Sequence, residues 1–326
     1  MAGNTKNNAI NNTGFDSDNN KSSITKTNTK EKDFPNLSNS ERVLTSLVAG
    51  AAAGAIAKTT IAPLDRTKIN FQISKMQYSQ RAAIDFLVRA YKNEGLLSLW
   101  RGNSATMIRI VPYSAIQFAA HEQWKRILNV NGKNSSSVYR LLAGSLAGVT
   151  SQSLTYPLDL ARARMAVTQK TEYKTLREVF VQIYKNEGFL AFYRGFTATI
   201  LGVIPYAGCS FYTYDTLKMF MAVDKIQMNP GFATLATLSC GAIAGIVGQT
   251  ASYPLDIVRR RMQTSAIKGA FYHTTISTTV KIYREEGLMA FYKGLTMNWV
   301  KGPVAVSISF ATHDIIRDYL RKYISK

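Results

Sequence analysis

The sequence predicts an all-α membrane protein: six transmembrane helices in three pseudo-threefold repeats, with a short helix inside each repeat. Three observations predict it. A Pro-x-Asp-x-x-[Lys/Arg] motif occurs at Pro63–Lys68, Pro157–Arg162 and Pro254–Arg259, its prolines 94 and 97 residues apart. Thirteen residues before each proline starts a Gly-x-x-x-Gly pair: Gly50/Gly54, Gly144/Gly148 and Gly241/Gly245. After each comes an acid–glycine stretch: "EGLLSLWRG" (Glu94–Gly102), "EGFLAFYRG" (Glu187–Gly195) and "EGLMAFYKG" (Glu286–Gly294). A period near 95 residues means three copies of one folding unit. Pro112, Pro205 and Pro303 add a further ladder in register, so six of the chain's eight prolines follow the repeat.

Each unit reads as three helices. The first is long and apolar, with its proline two-thirds along (about 45–73, 138–168 and 233–263). A short amphipathic helix follows, such as "RAAIDFLVRAYKNEG" from Arg81. A second apolar helix then starts at the last glycine of the acid–glycine stretch (about 103–127, 196–219 and 295–321). Each apolar stretch is long enough to cross about 30 Å of hydrocarbon. The Gly-x-x-x-Gly pairs are expected to let neighbouring helices approach closely. The repeats are placed at 43–132, 133–227 and 228–326. Residues 1–42 are rich in Asn, Lys, Ser and Thr and are expected to form a disordered tail. The tail has no apolar core for a secretory signal, and Asp16, Asp18, Glu31 and Asp33 argue against a cleaved transit peptide.

Composition narrows the function. Lys+Arg 40 against Asp+Glu 20 gives a net charge of +20, which points to anionic partners. A mean hydropathy of -0.08 hides the spans, because prolines and charges dilute them. Cys209 and Cys240 make no disulfide framework, and three scattered histidines make no zinc site, so neither metal nor cofactor is expected. No nucleophile–base pair suggests an enzyme. A nucleic-acid binder would carry its bases on exposed faces, whereas many here sit at fixed phase inside apolar stretches. A soluble helical array and a basic membrane-associated binding protein are the alternatives to a transporter.

The proline motifs put an acid and a base on one helix face: Asp65/Lys68, Asp159/Arg162 and Asp256/Arg259. Charges inside a membrane are costly and mark function. Three such pairs related by threefold symmetry can form a ring, each acid meeting a neighbouring repeat's base, that closes one end of a cavity. The second helices carry Glu122/Lys125, Asp215/Lys218 and Asp314/Arg317 at their far ends. Two charge rings describe alternating access.

These motifs together resemble the mitochondrial carrier family (solute carrier family 25) over about residues 43–326. The resemblance implies a multi-pass protein of the mitochondrial inner membrane, working as a monomer, with the short helices on the matrix side. It makes the first ring a matrix gate and the second a cytoplasmic gate. It implies glutamine braces at Gln72 and Gln263, with Ala166 in the middle place, and an aromatic brace at Tyr214, where His121 and His313 take the other two places. Thirteen residues before the cytoplasmic acids stand Arg109, Gly202 and Lys301, the family's substrate-contact positions. By the same resemblance Gly202 and Val203 suit an adenine ring, Tyr206 stacks on it, and Lys58 is a basic cavity position. Arg109, Lys301 and Lys58 are expected as unpaired bases awaiting phosphate oxygens. Gly102, Gly195 and Gly294 are expected to bind cardiolipin at helix N-termini.

Within the family, "LSLWRGNSATM", "LGVIPYAG" and "MNWVKGP" resemble the coenzyme A carriers. That resemblance implies exchange of coenzyme A or dephospho-coenzyme A for adenine nucleotides such as ADP and adenosine 3',5'-diphosphate. The other adenine-nucleotide carriers fit less well. No calcium loop precedes the repeats, as the ATP-magnesium/phosphate type would have, and "RRRMQ" (Arg259–Gln263) departs from the ADP/ATP type.

Overall fold

A computed structural model of the chain describes residues 38–76, 78–130, 137–169, 171–221, 230–267, 272 and 274–324. The expected tail lies outside the described residues as far as residue 37. Among the described residues the chain is helical, with nine α-helices: α1 (Asn39–Ile73), α2 (Gln80–Glu94), α3 (Asn103–Ile127), α4 (Ser137–Val167), α5 (Leu176–Glu187), α6 (Phe196–Phe220), α7 (Pro230–Gln263), α8 (Thr275–Glu286) and α9 (Leu295–Ile324). The order long–short–long recurs three times.

Local chemistry sets the ends. Ser38 caps α1: its hydroxyl accepts from the Glu41 N–H at 3.3 Å, and the Glu41 carboxylate accepts from the Ser38 N–H at 2.8 Å. The helix thus starts at Asn39, four residues before the expected repeat boundary. Ser79, Thr175 and Thr274 cap the short helices, each hydroxyl accepting from the N–H three residues on, and at Thr274 the Ser277 hydroxyl reciprocates. Each short helix stops at a glycine with positive φ: Gly95 (82°), Gly188 (81°) and Gly287 (75°). A 3₁₀ turn then leads to a second left-handed glycine, Gly102, Gly195 or Gly294.

The six long helices close into a ring. α3 packs on α4, α6 on α7, and α9 returns onto α1, so each repeat's last helix seats on the next repeat's first. All six carry an internal proline. The buried apolar clusters lie at the proline end. One joins Tyr253, Ile257, Met262, Ile282 and Phe291; another joins Leu160, Met165, Val179, Ile183 and Phe192. Each ties a long helix to its own short helix.

Polarity is inverted relative to a water-soluble bundle. Arg164, Gln72 and Gln263 have 0% exposure and Asp159 has 1%, whereas Phe118, Tyr212 and Phe220 are 73%, 76% and 84% exposed. Apolar side chains face outward and charges face inward, which suits a lipid surround. Two segments, Ser40–Ile73 and Phe189–Phe220, pass a simple test for a membrane span by length and hydropathy.

The Gly-x-x-x-Gly pairs differ from expectation. A Cβ at Gly54, Gly144, Gly148, Gly241 or Gly245 would meet nothing within 4 Å. Gly144, Gly148 and Gly241 line a cavity instead, so these helices stand apart at that end. Other glycines make the close approaches. A Cβ at Gly102 would come within 2.9 Å of the Arg162 carbonyl, and one at Gly195 within 3.0 Å of the Arg259 carbonyl.

Gly102→Ala therefore combines left-handed strain with a backbone clash and should destabilise by about 2–5 kcal/mol. Gly95→Ala shares the strain (φ 82°) but has open space, and should cost about 1–2 kcal/mol. Thermal unfolding of the two purified variants checks the difference; equal losses would refute the packing role.

Candidate functional site

The Pro63, Pro157 and Pro254 motifs meet at the end of α1, α4 and α7. Arg162 pairs with Asp65. Arg259 pairs with Asp159 at 2.6 Å, and Lys68 with Asp256 at 3.1 Å. Every pair joins two different repeats, and the three pairs close a ring. The side chains are largely buried: Asp159 is 2% exposed and Arg259 16%.

Two carboxamides brace the ring. Gln72 donates to Asp256 at 2.9 Å and to the Tyr253 hydroxyl at 3.3 Å. Gln263 donates to Asp159 at 2.8 Å and to the Tyr156 hydroxyl at 3.0 Å. Each tyrosine donates onward at 2.8 Å, Tyr156 to the Arg194 carbonyl and Tyr253 to the Lys293 carbonyl. The third bridge has neither partner, since Ala166 replaces the glutamine and Ala62 the tyrosine. The two absences belong together, because each glutamine reaches the tyrosine of the repeat before it.

Arg109 and Lys301 are not the unpaired bases that the sequence suggests. Lys301 donates to Asp65 at 2.8 Å. Arg109 pairs with Asp159 at 3.3 Å, donates to Gln152 at 2.7 Å and lies 4.8 Å from the Tyr113 ring centroid. The reason is their level: both stand close enough to the ring for its acids to satisfy them, and a lone cation there would be costly. Lys58 is unpaired, as expected, but it is not among the residues that line the cavity described below. No hydrogen bond or ion pair holds it among the described residues, and it lies within electrostatic reach of Lys301, Asp65, Arg162 and Arg109.

Above the ring opens a cavity of about 920 Å³. Lys68, Asp256, Arg259 and Lys301 line its charged end. Gly202, Val203 and Tyr206 line the α6 wall, and Tyr214 lies further along the same wall. Its volume falls within the range of small-molecule sites.

The expected second ring is not assembled. Glu122 pairs with Lys125 at 3.3 Å and Asp314 with Arg317 at 3.2 Å, each within one helix. Glu122 and Asp314 are 62% and 53% exposed. Asp215 forms no ion pair among the described residues. The cavity is closed at the proline ring and open at this end.

A family model described as "Mitochondrial carrier protein" matches residues 39–132, 133–225 and 231–324. The chain belongs to the mitochondrial carrier family. It is a carrier and not an enzyme. Among its curated relatives, the mitochondrial coenzyme A transporter SLC25A42 of Danio rerio is 55% identical over 286 residues, covering 86% of this chain and 88% of that protein. The protein of the same name from Homo sapiens is 54% identical over 286 residues, covering 86% and 89%. Solute carrier family 25 member 16 of Bos taurus is 41% identical over 292 residues, covering 85% and 88%.

Sequence reasoning missed one set of residues in this carrier. The motif acids Glu94, Glu187 and Glu286 each hold a buried arginine. Arg164 pairs with Glu187 and donates to the Gln263 carbonyl at 3.1 Å. Arg261 pairs with Glu286 and donates to the Gln72 carbonyl at 3.2 Å. In the first repeat Asn70 stands where the other two have arginine. Arg66, one turn earlier, takes that place, reaching Glu94 at 3.2 Å and the Ala166 carbonyl at 3.2 Å. These struts bind each short helix to its own long helix and to the next repeat. Burial raises the Glu286 carboxyl, but hydrogen bonds from Arg261 and Lys293 outweigh it and hold it at about 2. The fixed spacing of acid and glycine was a usable signal for the acids, whereas the base shifts by one turn in the first repeat.

Gln263→Ala and Gln72→Ala each remove a hydrogen bond to a buried carboxylate. Each should destabilise the closed ring by about 1.5–3 kcal/mol. Melting temperatures of the two variants in detergent check this. Values equal to wild type would mean that the braces add nothing.

Proposed function

We propose that this carrier is an antiporter of the inner mitochondrial membrane. It exchanges coenzyme A or dephospho-coenzyme A for adenine nucleotides such as ADP and adenosine 3',5'-diphosphate. The carrying observation is one cavity with bases at its closed end and a bare wall of Gly202, Val203 and Tyr206 beside them. The bases suit phosphates, and the bare wall leaves room for adenine, with Tyr206 stacking on it. The likeness to transporters named for coenzyme A, 53–55% identical over most of the chain, supports this substrate.

In this reading α1, α3, α4, α6, α7 and α9 span the membrane. Their lengths, 25 to 35 residues, give roughly 37–52 Å of helix against about 30 Å of hydrocarbon. The short helices α2, α5 and α8 lie on the matrix side. The ring of Asp65, Lys68, Asp159, Arg162, Asp256 and Arg259 is the matrix gate, here closed. Glu122, Lys125, Asp215, Lys218, Asp314 and Arg317, with Tyr214, form the cytoplasmic gate, here open. Substrate phosphates compete with Asp159 for Arg109 and with Asp65 for Lys301, while Lys58 adds a cation with no protein partner to lose. Binding thereby loosens the ring from above, and the open and closed states come within reach of each other. The ring closes within one chain, so a monomer suffices.

Exchange in proteoliposomes tests the substrate. Coenzyme A, ADP and adenosine 3',5'-diphosphate should compete for uptake of labelled coenzyme A, and free pantetheine should not. Arg109→Ala and Lys301→Ala should each weaken competition by the nucleotides about ten- to a hundredfold, for a lost charged hydrogen bond of about 1.5–3 kcal/mol. Pantetheine competing as well as the nucleotides would overturn the assignment.

Cardiolipin is the proposed lipid partner at Gly102, Gly195 and Gly294. Gly102 and Gly195 head α3 and α6 with no side chain capping them, which leaves backbone N–H groups for a phosphate. Adding cardiolipin to delipidated protein should raise its melting temperature. An unchanged melting curve would count against the site.

A further inference from the structure

We propose that Gln249 reads the edge of the purine, so that the cavity selects a 6-aminopurine over a 6-oxopurine. This rests on the reading of the α6 wall as the base slot. Gln249 stands on α7, five residues before Pro254, and lines the same cavity as Gly202, Val203 and Tyr206. Its backbone carbonyl accepts from the Ser252 hydroxyl at 3.2 Å, but its carboxamide has no partner among the described residues. The equivalent residues in the other repeats are occupied differently. Gln152 on α4 is held by Arg109 at 2.7 Å, and α1 carries a cation, Lys58. Only the oxygen of Gln152 is taken, so of the three places α7 alone offers a carboxamide whose oxygen and N–H are both free.

Packing sets that carboxamide beside the slot. A Cβ at the neighbouring Gly248 would fall 2.8 Å from the Tyr206 carbonyl and 2.6 Å from the Ser210 hydroxyl, so α6 and α7 touch there. Tyr206 is 45% exposed, and its ring meets no other aromatic ring among the described residues. Gln249 lies seven residues before Asp256, roughly 10 Å along the helix from the ring. A nucleotide with its phosphates on Arg109 and Lys301 can therefore place its base at this level.

The recognition follows from hydrogen-bond order. A 6-aminopurine presents an N6–H donor beside the N7 acceptor, which a carboxamide matches with its oxygen and its N–H. A 6-oxopurine presents two acceptors on that edge, so the carboxamide oxygen is left facing O6. The pairing is expected to favour the amino form by about five- to 150-fold.

The test is competition against uptake of labelled coenzyme A by the full chain in proteoliposomes, using ADP and inosine diphosphate. Wild type should prefer ADP by that factor. Gln249→Leu should bring the ratio close to one through weaker ADP binding. Gln249→Glu, which cannot donate to N7, should also weaken ADP. Melting curves of wild type with each nucleotide provide a second readout that needs no variant, and ADP should stabilise more. Equal competition by the two nucleotides in wild type, or an unchanged preference in folded Gln249→Leu, overturns the inference while leaving coenzyme A uptake standing. A wild type that takes up no coenzyme A overturns the substrate reading and this inference with it.

Discussion

Three ion pairs between repeats hold the arrangement on which the rest of this structure depends. Asp65, Asp159 and Asp256 each find their base on a different repeat, so no repeat satisfies its own ring acid. Removing one partner of such a pair costs about 3–5 kcal/mol, because the other is left buried and alone. The ring therefore fixes where α1, α4 and α7 end relative to one another. The arginine–glutamate struts act one layer below, carrying the same inter-repeat link out to the short helices. The glycines at 102 and 195 let the following helix start against the next repeat's backbone.

Symmetry builds the scaffold, and departures from symmetry build the site. All three repeats supply an acid, a base and a strut. They differ at three equivalent positions: Arg109 and Lys301 are cations, and Gly202 is bare. Of these, Lys301 and Gly202 line the cavity, which is charged toward α9 and open along α6. The first repeat departs in its own way. Ala62 and Ala166 together remove one brace, and Lys301 brings Asp65 a second cation. Arg66 compensates for Asn70 from one turn earlier, because a long guanidinium reaches the same carbonyl.

The two ends of the bundle differ in what holds them. At the ring, bridges, braces and apolar clusters combine. At the other end, Glu122 and Asp314 pair within their own helices, and most of the glycine pairs meet nothing. Local i,i+3 pairs on exposed side chains add little stability.

The sequence by itself determined the repeat, the order of helices and the identity of the ring residues. A fixed period, prolines and an acid–base pair on one face are local properties, legible without coordinates. The family resemblance, not the pattern alone, pointed to Gln72 and Gln263 as braces. The sequence did not determine partners. Whether Arg109 is free or bound to Asp159, whether Lys301 reaches Asp65, and whether the glycine pairs touch depend on distances between segments far apart in the chain. Phase along a helix says which face a residue occupies, but not how far that face stands from its neighbour. Only tertiary packing decided that: it brings α1, α4 and α7 together at the proline end, where buried charge demands partners, and leaves the glycine pairs of α4 and α7 facing open space.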